Sequence, residues 1–174
     1  LVEGSVAAVR FGAVRANRAG GARDAMISQK AKYALRALVA LARSHGTDDT
    51  QFISDIAEAQ NIPKKFLEQI LLDLKHHGIV MSRRGKAGGY MLLKAPDAIT
   101  FGEVMRIVDG PIAPLPCLSR MAYRRCDDCR DEKSCEVRRV FARVATATRD
   151  VLDGTTIADS IGSEANDDIR QLTA

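Results

Sequence analysis

The chain has 174 residues, of which 46% are hydrophobic and 28% are charged, and its formal net charge is +4. This length can bury one core plus an extension, and no apolar run is long enough to cross a bilayer, so we expect a soluble cytoplasmic protein without a membrane partner. Basic residues concentrate between Lys30 and Lys94, whereas the C-terminal segment is acidic. A local basic face favours a nucleic-acid partner, although a merely solvated charged surface would have the same composition.

The two ends of the chain carry no clear structural pattern. Residues 1–25 are rich in Ala, Gly, Arg and Val, and we interpret them as a disordered leader upstream of a native start at Met26. A targeting peptide is the alternative, because the segment is rich in arginine and poor in acidic residues. Residues 162–174 are expected to form a disordered tail.

The segment after Met26 predicts a helix-turn-helix. Apolar residues recur every three or four positions from Ser28, which predicts an amphipathic first helix. Ser54 is the expected cap of a short second helix, and a third helix follows at once with Pro63 in its first turn and Gly78 as its stop. Two helices joined by so short a turn are typical of a helix-turn-helix.

The start of the third helix supplies the candidate DNA contacts. In a helix-turn-helix the N-terminal part of the second helix meets base edges. Polar side chains lie there on the predicted outer face, and Phe66, which also belongs to the apolar side, is included with them. The candidates are Lys64, Lys65, Phe66, Glu68 and Gln69. Solvent exposure alone would also explain the polar members of this set.

The next segment predicts a hairpin wing. Residues 79–81 and 90–93 read as two strands, and the glycine-rich stretch SRRGKAGG between them reads as the hairpin tip. Arg83, Arg84 and Lys86 on this tip suit phosphates or a narrow minor groove. A helix-turn-helix combined with a basic wing predicts binding to double-stranded DNA.

Beyond the wing, the pattern predicts two further helices. Thr100 and Glu103 form a capping box that starts one of them. A long helix is expected from Glu136 to Gly154. Its apolar stripe consists of Val137, Val140, Phe141, Val144, Thr148, Val151 and Leu152. The stripe predicts a homodimer in which the helix packs against its own copy; packing against its own domain is the alternative.

These elements predict a mainly α fold with a small β-hairpin wing, a winged helix-turn-helix followed by a long C-terminal dimerisation helix. We assign residues 26–95 to the DNA-binding domain. Residues 96–161 are assigned to a cysteine loop and the dimerisation helix.

All four cysteines lie within one charged stretch: Cys117, Cys126, Cys129 and Cys135. Because no secretory signal precedes them, a disulfide framework is not expected. Zinc ribbons bring two Cys-x-x-Cys pairs together, but this chain has only the pair formed by Cys126 and Cys129. An iron-sulfur cluster tolerates the irregular spacing. The spacing therefore favours a cluster and leaves zinc and a thiol-redox set as alternatives.

Five segments together carry a family resemblance. They are AKYALRALVALA, IPKKFLEQILLDLKHHGIV, RRGKAGGYML, ITFGEVMRIVDGPIAPLPC and VLDGTTIADSI. From Met26 to about Ile161 the chain resembles the IscR, NsrR and RirA superfamily of bacterial winged-helix transcription regulators. The resemblance implies a homodimer with a long crossing helix and an iron-sulfur cluster, either 2Fe-2S or 4Fe-4S. It also implies that Cys117, Cys129 and Cys135 are the family's cluster cysteines.

The chain departs from this family at the fourth ligand. Where the IscR branch has a histidine three residues after the last cysteine, this chain has Arg138, which cannot bind a metal cation. Where the NsrR branch has an acidic ligand in the first helix, the matching residue is Lys32. Cys126 is therefore our first candidate for the fourth ligand, and a labile three-cysteine site, as in the RirA branch, is the second.

Taken together, the residues and the resemblance predict a cytoplasmic DNA-binding regulator, a repressor whose operator binding depends on an iron-sulfur cluster that senses iron, redox state or nitric oxide. A zinc-stabilised or thiol-redox winged-helix regulator is the alternative. A small iron-sulfur electron carrier would have no use for a wing. Because no catalytic motif is recognisable, the chain is not expected to be an enzyme.

Overall fold

The computed structural model describes residues 27–47, 50–85, 88–127 and 129–162. The expected leader, the proposed start at Met26, the wing residue Lys86 and residues 163–174 of the expected tail lie outside the described residues. The proposals about them remain predictions.

The described residues form six α-helices and one two-stranded hairpin. The helices are α1 (Gln29–Arg43), α2 (Ile53–Ala59), α3 (Lys64–His76), α4 (Phe101–Asp109), α5 (Glu136–Gly154) and α6 (Ile157–Gly162). The strands are β1 (Val80–Arg83) and β2 (Gly89–Leu92), and short 3-10 turns span Pro96–Ala98 and Pro116–Leu118. The expected fold class, mainly helical with a hairpin wing, is confirmed.

Helix α1 lies at the centre of the core. Its apolar face is buried along its whole length, and it packs against α3, α4 and α6. Core side chains come from both sides of residue 95, since Ile99, Val104 and Ile157 are buried with those of α1 and α3. The division into domains at residue 95 remains a prediction.

The second helix begins earlier than expected. Ser54 does not cap it: Phe52 occupies the N-cap position, and the Ser54 hydroxyl donates to Asp55 instead (2.9 Å). The physical reason is a contact with the wing. The backbone of Gln51 pairs with Tyr90 through two hydrogen bonds of 2.9 and 2.8 Å, so the chain is extended up to Gln51 and can turn helical directly after Phe52.

The turn of the helix-turn-helix also differs in detail. Pro63 lies at the N-cap of α3 rather than in its first turn, with an extended ψ of 123°. Its carbonyl accepts from the N–H groups of Phe66 and Leu67 (2.9 and 3.0 Å). Asn61 makes the reversal with a left-handed φ of 48°, a conformation that asparagine tolerates better than most residues.

The hairpin confirms the predicted wing with a shift of one or two residues at the strand ends. β1 and β2 pair antiparallel, with Val80 opposite Leu92 and Ser82 opposite Tyr90. Gly89 has a φ of +147°, and a Cβ there would lie 2.6 Å from the carbonyl oxygen of Gln51. Only glycine allows the wing to approach the start of α2 this closely.

Only half of the predicted capping box forms at α4. The Thr100 hydroxyl accepts from the Glu103 N–H (3.1 Å), but the Glu103 carboxylate pairs with Lys94 (2.6 Å) instead of returning to the cap. The backbone around Thr100 is already paired with the segment before α6, because the Phe101 N–H donates to the carbonyl of Thr155 (3.0 Å). Helix α6 itself was not anticipated as an element.

Helix α5 has the predicted bounds, and its apolar stripe faces outward. Ala145 is its only residue classed as buried within the described residues. The exposed fractions are 57% for Val137, 59% for Val140, 39% for Phe141, 44% for Val144 and 65% for Val151. Thr148 and Leu152 of the same stripe are half-buried, so the alternative, packing against its own domain, describes only a small part of the stripe. Among the described helices, none has the length and hydropathy that a membrane span requires.

Candidate nucleic-acid interface and cysteine loop

Helix α3 is hereafter called the recognition helix. Its first two turns present the predicted polar residues to the surface. Lys64, Lys65, Glu68 and Gln69 are all exposed. In the described part of the chain, neither lysine forms a hydrogen bond or an ion pair. Both ammonium groups are thus available to an external anion.

Phe66 differs from its neighbours. Its ring packs edge to face against Tyr33 of α1, with the ring centroids 5.8 Å apart, and 40% of the residue remains exposed. The contact joins the first turn of the recognition helix to α1. Phe66 thus has a packing role in addition to its predicted place on the DNA-facing surface.

One turn further along, a network that the sequence analysis missed holds Gln69. The Gln69 side-chain amide donates to the Asp73 carboxylate (3.0 Å), and the other oxygen of that carboxylate pairs with Lys30 of α1 (2.8 Å). The hydrogen bond from Lys30 is the main cause that lowers the pKa of Asp73 below its ordinary value. The four-residue spacing of Gln69 and Asp73 was visible in the sequence, but the approach of Lys30 from another helix was not.

The wing is fixed against the recognition helix by a direct contact. The Lys75 ammonium donates to the Ser82 hydroxyl on β1 (2.7 Å). At the tip, the Gly88 N–H donates to the Gly85 carbonyl (2.8 Å), and Gly85 has a φ of +102°. Arg83 and Arg84 lie exposed beside this turn. Their guanidinium groups have no ion-pair partner among the described residues.

The cysteine loop, residues 117–135, connects α4 to α5. Cys117 lies in a 3-10 turn and is 5% exposed, whereas Cys126, Cys129 and Cys135 are partly exposed. The backbone N–H of Cys129 donates to the carbonyl of Cys126 (3.3 Å), so these two residues share a tight turn.

Cys129 and Cys135 are brought together. Burial is the main cause that raises the pKa of the Cys129 thiol, and the adjacent Cys135 thiol, with which it hydrogen-bonds, raises it further. Cys135 is also the N-cap of α5: its sulfur accepts from the backbone N–H of Arg138 (3.4 Å). The start of the long helix is therefore built on one of the predicted ligands.

Arg138 cannot bind a metal cation, but its side chain makes contacts at both ends of the cysteine loop. Its guanidinium lies 3.5 Å from the carbonyl oxygen of Cys117 and 3.7 Å from the carboxylate of Glu132. Its Nε atom is buried and has no hydrogen-bond partner among the described residues. Arg138 thus links the start of the cysteine loop to its end.

Several further hydrogen bonds of the loop are local. The Arg125 guanidinium donates to the carbonyls of Cys129 and Arg130 (2.9 Å each). The Asp131 carboxylate accepts from the backbone N–H groups of Lys133 and Ser134 (3.1 Å each). These bonds shape the turn before α5 and connect to no element of the core.

The four thiols suit an iron-sulfur cluster by their chemistry, but the structure brings only two of them into contact. Thiolates are the usual cluster ligands, and hydrogen bonds to cluster sulfurs tune such sites. The buried Arg138 Nε–H is a donor of the kind that a cluster sulfur accepts. Yet no three His, Cys, Asp or Glu side chains of the described residues stand close enough to surround one metal ion. Cys129 and Cys135 form the assembled pair.

The far end of α5 is clamped to α4. Asp153 pairs with Arg106 at 2.6 Å. Gly102 allows this approach, because a Cβ at that position would lie 1.9 Å from the Asp153 carboxylate oxygen. Helix α4 packs against both α1 and α3. Helix α5 therefore connects the cysteine loop, at its start, to the helical core, at its last turn.

Residues 27–162 match the Rrf2 family, described as an iron-dependent transcriptional regulator. The chain belongs to the Rrf2 family. An HTH-type regulator of Rhodobacter capsulatus named rrf2-like is 51% identical over 140 residues, which cover 79% of this chain and 93% of that relative. CymR of Bacillus subtilis is 37% identical over 133 residues, which cover 76% of this chain and 87% of CymR.

Solved structures of Rrf2-type proteins show the same fold. CymR, the global cysteine regulator of B. subtilis, superposes with a TM-score of 0.65 at 35% identity, covering 78% of this chain and 95% of that chain. The IscR of T. potens superposes with a TM-score of 0.62 at 26% identity, covering 83% and 95%. This Rrf2 protein is therefore a bacterial DNA-binding transcription regulator of the winged-helix type. The relatives are regulators, which confirms the expectation that the chain is not an enzyme.

Proposed function

We propose that this Rrf2 protein is a homodimeric repressor that binds operator DNA through the recognition helix and the wing, and that a cluster bound by the cysteine loop controls its affinity. One observation carries the proposal. Helix α5 begins on the Cys135 thiol and ends on the Arg106–Asp153 clamp to α4. Its 19 residues extend for about 28 Å.

The DNA-binding part is supported by charge and exposure. Lys64 and Lys65 on the recognition helix and Arg83 and Arg84 on the wing are exposed cations without ion-pair partners among the described residues. Lys75 joins the last turn of the helix to the wing through a hydrogen bond to Ser82. A helix of this type enters the major groove while wing cations reach phosphates or the minor groove.

The homodimer is supported by the outward stripe of α5. Val140 and Val151 are more than half exposed, and Phe141 and Val144 are exposed by 39% and 44%. A contiguous exposed apolar face on a long helix marks an interaction surface. A second copy would cover it by two-fold symmetry and would present two recognition helices to two half-sites.

The regulatory part is supported by the thiols and by Arg138. Cys117, Cys129 and Cys135 would hold an iron-sulfur cluster, with Cys126 as the candidate fourth ligand. Such a group, when bound, supplies a redox-sensitive and nitric-oxide-sensitive centre that crosslinks its protein ligands. Ligation would join Cys117 to Cys135, which is the connection that Arg138 makes by hydrogen bonding. The loop would then fix the start of α5 and, through it, the clamp at Asp153.

A thiol-redox switch is the second candidate, because Cys129 and Cys135 are already in contact. Oxidation by a peroxide would join the two sulfurs, and the two thiol protons and two electrons would convert hydrogen peroxide into two waters. CymR, a relative of known fold, is named a cysteine regulator. In this version the same end of α5 is fixed by a disulfide instead of a metal group.

Binding of an operator selected from random DNA by the anaerobically reconstituted and metal-free proteins would test the proposal. Coupling of the usual size predicts Kd values that differ by roughly 5- to 150-fold. Equal Kd values for the two forms would contradict cluster control. If the metal-free protein instead responds to peroxide and Cys129→Ala removes the response, the thiol switch is favoured.

The DNA assignment has its own test. Arg84→Ala should weaken operator binding by about 1–3 kcal/mol if the wing reads a groove, whereas Arg130→Ala, which removes an equal charge from the cysteine loop, should not. Binding by both proteins should fall steeply with salt. Wild-type affinity of the Arg84 variant would exclude the wing from the interface.

A further inference from the structure

The amide of Gln69 has a defined orientation. At neutral pH the carboxylate of Asp73 can only accept hydrogen bonds, so the atom of Gln69 that lies 3.0 Å from it is the amide nitrogen Nε2 and not the oxygen. The Gln69 oxygen Oε1 accepts no hydrogen bond from the described residues. The side chain is exposed on the recognition helix, so Oε1 is available to a base edge.

Asp73 is in turn held in place. Its second oxygen accepts from Lys30, which approaches from α1, and both side chains are only about a third exposed or less (31% and 26%). The Lys30 ammonium donates to one oxygen of Asp73, which leaves the other for Gln69. Lys30 belongs to α1, so the network already joins two helices in the protein without DNA.

We propose that Asp73 is a positioning residue that determines operator specificity: it holds the Gln69 amide with its oxygen free, so that Gln69 selects a base with an amino group in the major groove. This inference rests on the proposed function and concerns one position in each half-site. Adenine and cytosine present amino donors there, whereas guanine and thymine present only acceptors.

Adenine is the expected base. Gln69 Nε2 carries two hydrogens, of which Asp73 engages one. The second can donate to adenine N7 while Oε1 accepts from adenine N6, which is the two-bond pairing that glutamine makes with adenine. Cytosine offers only the donor and should be second.

Removing Asp73 should relax this choice without abolishing binding. A free amide can rotate by about 180° and present its N–H groups to guanine or thymine. The cations Lys64, Lys65, Arg83 and Arg84 would still attract DNA, and contacts to phosphates hold a protein on DNA without reading its sequence. The loss should therefore appear in the ratio of affinities for different bases rather than in overall affinity.

Selection of operators from randomised DNA by the full-length protein would test this. Gln69→Ala identifies the position that Gln69 reads, where discrimination should fall by roughly 5- to 150-fold. Asp73→Ala should relax the same position and no other, and Asp73→Asn, whose amide can turn either end toward Gln69, should relax it partly. Glu58→Ala on α2 removes a carboxylate without touching Gln69 and should leave the preference intact.

The double variant makes the test decisive. If Asp73 acts through Gln69, Asp73→Ala should change no base preference in the Gln69→Ala protein. A further change in that background overturns the inference, as does an unchanged preference in Asp73→Ala or in Gln69→Ala alone. Absence of any sequence-specific binding by the wild-type protein would instead remove the proposed function on which the inference rests.

Discussion

The reading head comprises α1 to α3 and the wing. The contacts that stabilise it differ in kind from those within the cysteine loop. In the reading head, Lys30 reaches Asp73 across 43 positions and Gln51 pairs with Tyr90 of the wing. In the loop, most bonds join residues that are a few positions apart, and Arg138 provides the long link to Cys117, across 21 positions. The reading head is built around a core, whereas Cys117 and Ser119 are the only buried residues among those of the loop that the structure describes.

This difference suits the two tasks proposed for the molecule. A DNA-reading surface must keep its geometry in every state, and buried leucines fix it. A sensing segment must change when its ligand changes, and such segments come from the less stable parts of a protein.

Replacing the loop thiols should abolish the visible absorption without unfolding the reading head. Ala at Cys117, Cys129 or Cys135 removes a thiolate that no neighbouring residue type replaces, so the reconstituted protein should lose its absorption completely. Cys126→Ala should destabilise the chromophore if Cys126 is the fourth ligand. Absorption spectra with iron and sulfide analysis measure the loss of the chromophore. Far-UV circular dichroism shows whether the reading head stays folded.

Two outcomes would contradict this prediction. A colourless wild-type protein that holds one zinc per chain after anaerobic reconstitution would exclude the cluster. Loss of helical signal in the Cys129 variant would show that the loop supports the core and would remove the contrast between the two regions.

In the reading head, one buried leucine should matter more for stability than any loop residue. Leu71 is 0% exposed and its neighbour Leu72 is 42% exposed. Leu71→Ala should lower the free energy of unfolding by about 2–5 kcal/mol because it leaves a cavity. Leu72→Ala, the matched control, should change it by less than about 0.5 kcal/mol. Urea unfolding would measure both, and equal losses would contradict the assignment of the two faces of α3.

The sequence was sufficient to predict the elements whose periodicity is long. Helices α1, α3 and α5 and the wing were predicted because 13 to 19 residues of helical pattern or a glycine-rich tip leave few alternatives. The cap of α2 could not be predicted, since the helix start depends on a backbone pairing of Gln51 with Tyr90. Helix α6, with six residues, is too short for periodicity to reveal.

For the functional surfaces, sequence alone could identify residue types but not their contacts. The exposed lysines and the four thiols were visible as types. The network at Asp73 and the bridge at Arg138 depend on partners from other elements, Lys30 and Cys117. Hence the candidate DNA contacts and ligands remain predictions, while the contacts that orient them come from the structure.

The clamp that joins α5 to α4, between Asp153 and Arg106, should be worth at most about 1 kcal/mol. Gly102→Ala places a Cβ 1.9 Å from the Asp153 carboxylate oxygen, so the carboxylate must swing away and leave Arg106. Gly154→Ala is the control, because a Cβ there meets nothing within 4 Å. Both replacements bring a similar gain in helix propensity. The Gly102 variant should therefore be less stable than the Gly154 variant by that amount, and equal thermal unfolding midpoints would show that the clamp contributes nothing.

The smallest effect concerns acid. The pKa of Asp73 is lowered in the folded protein, chiefly by the hydrogen bond from Lys30. The unfolded chain therefore binds the proton at higher pH, and the contribution of the pair is present above the unfolded pKa and is lost as pH falls through the folded pKa. A partly exposed pair of this kind contributes about 0.2–1 kcal/mol. Thermal unfolding measured between about pH 6 and pH 2 should thus show less acid sensitivity in Lys30→Met than in the wild type.

Asp131 provides the control from the other region. Its pKa is also lowered, mainly by the backbone N–H of Lys133, but its bonds lie within the cysteine loop and join no two elements. We expect Asp131→Asn to leave the acid profile of core unfolding unchanged, because the loop contributes little to the core. An Asp131 variant that flattens the profile as much as Lys30→Met would mean that the loop unfolds together with the reading head, and the two regions would then be one cooperative unit.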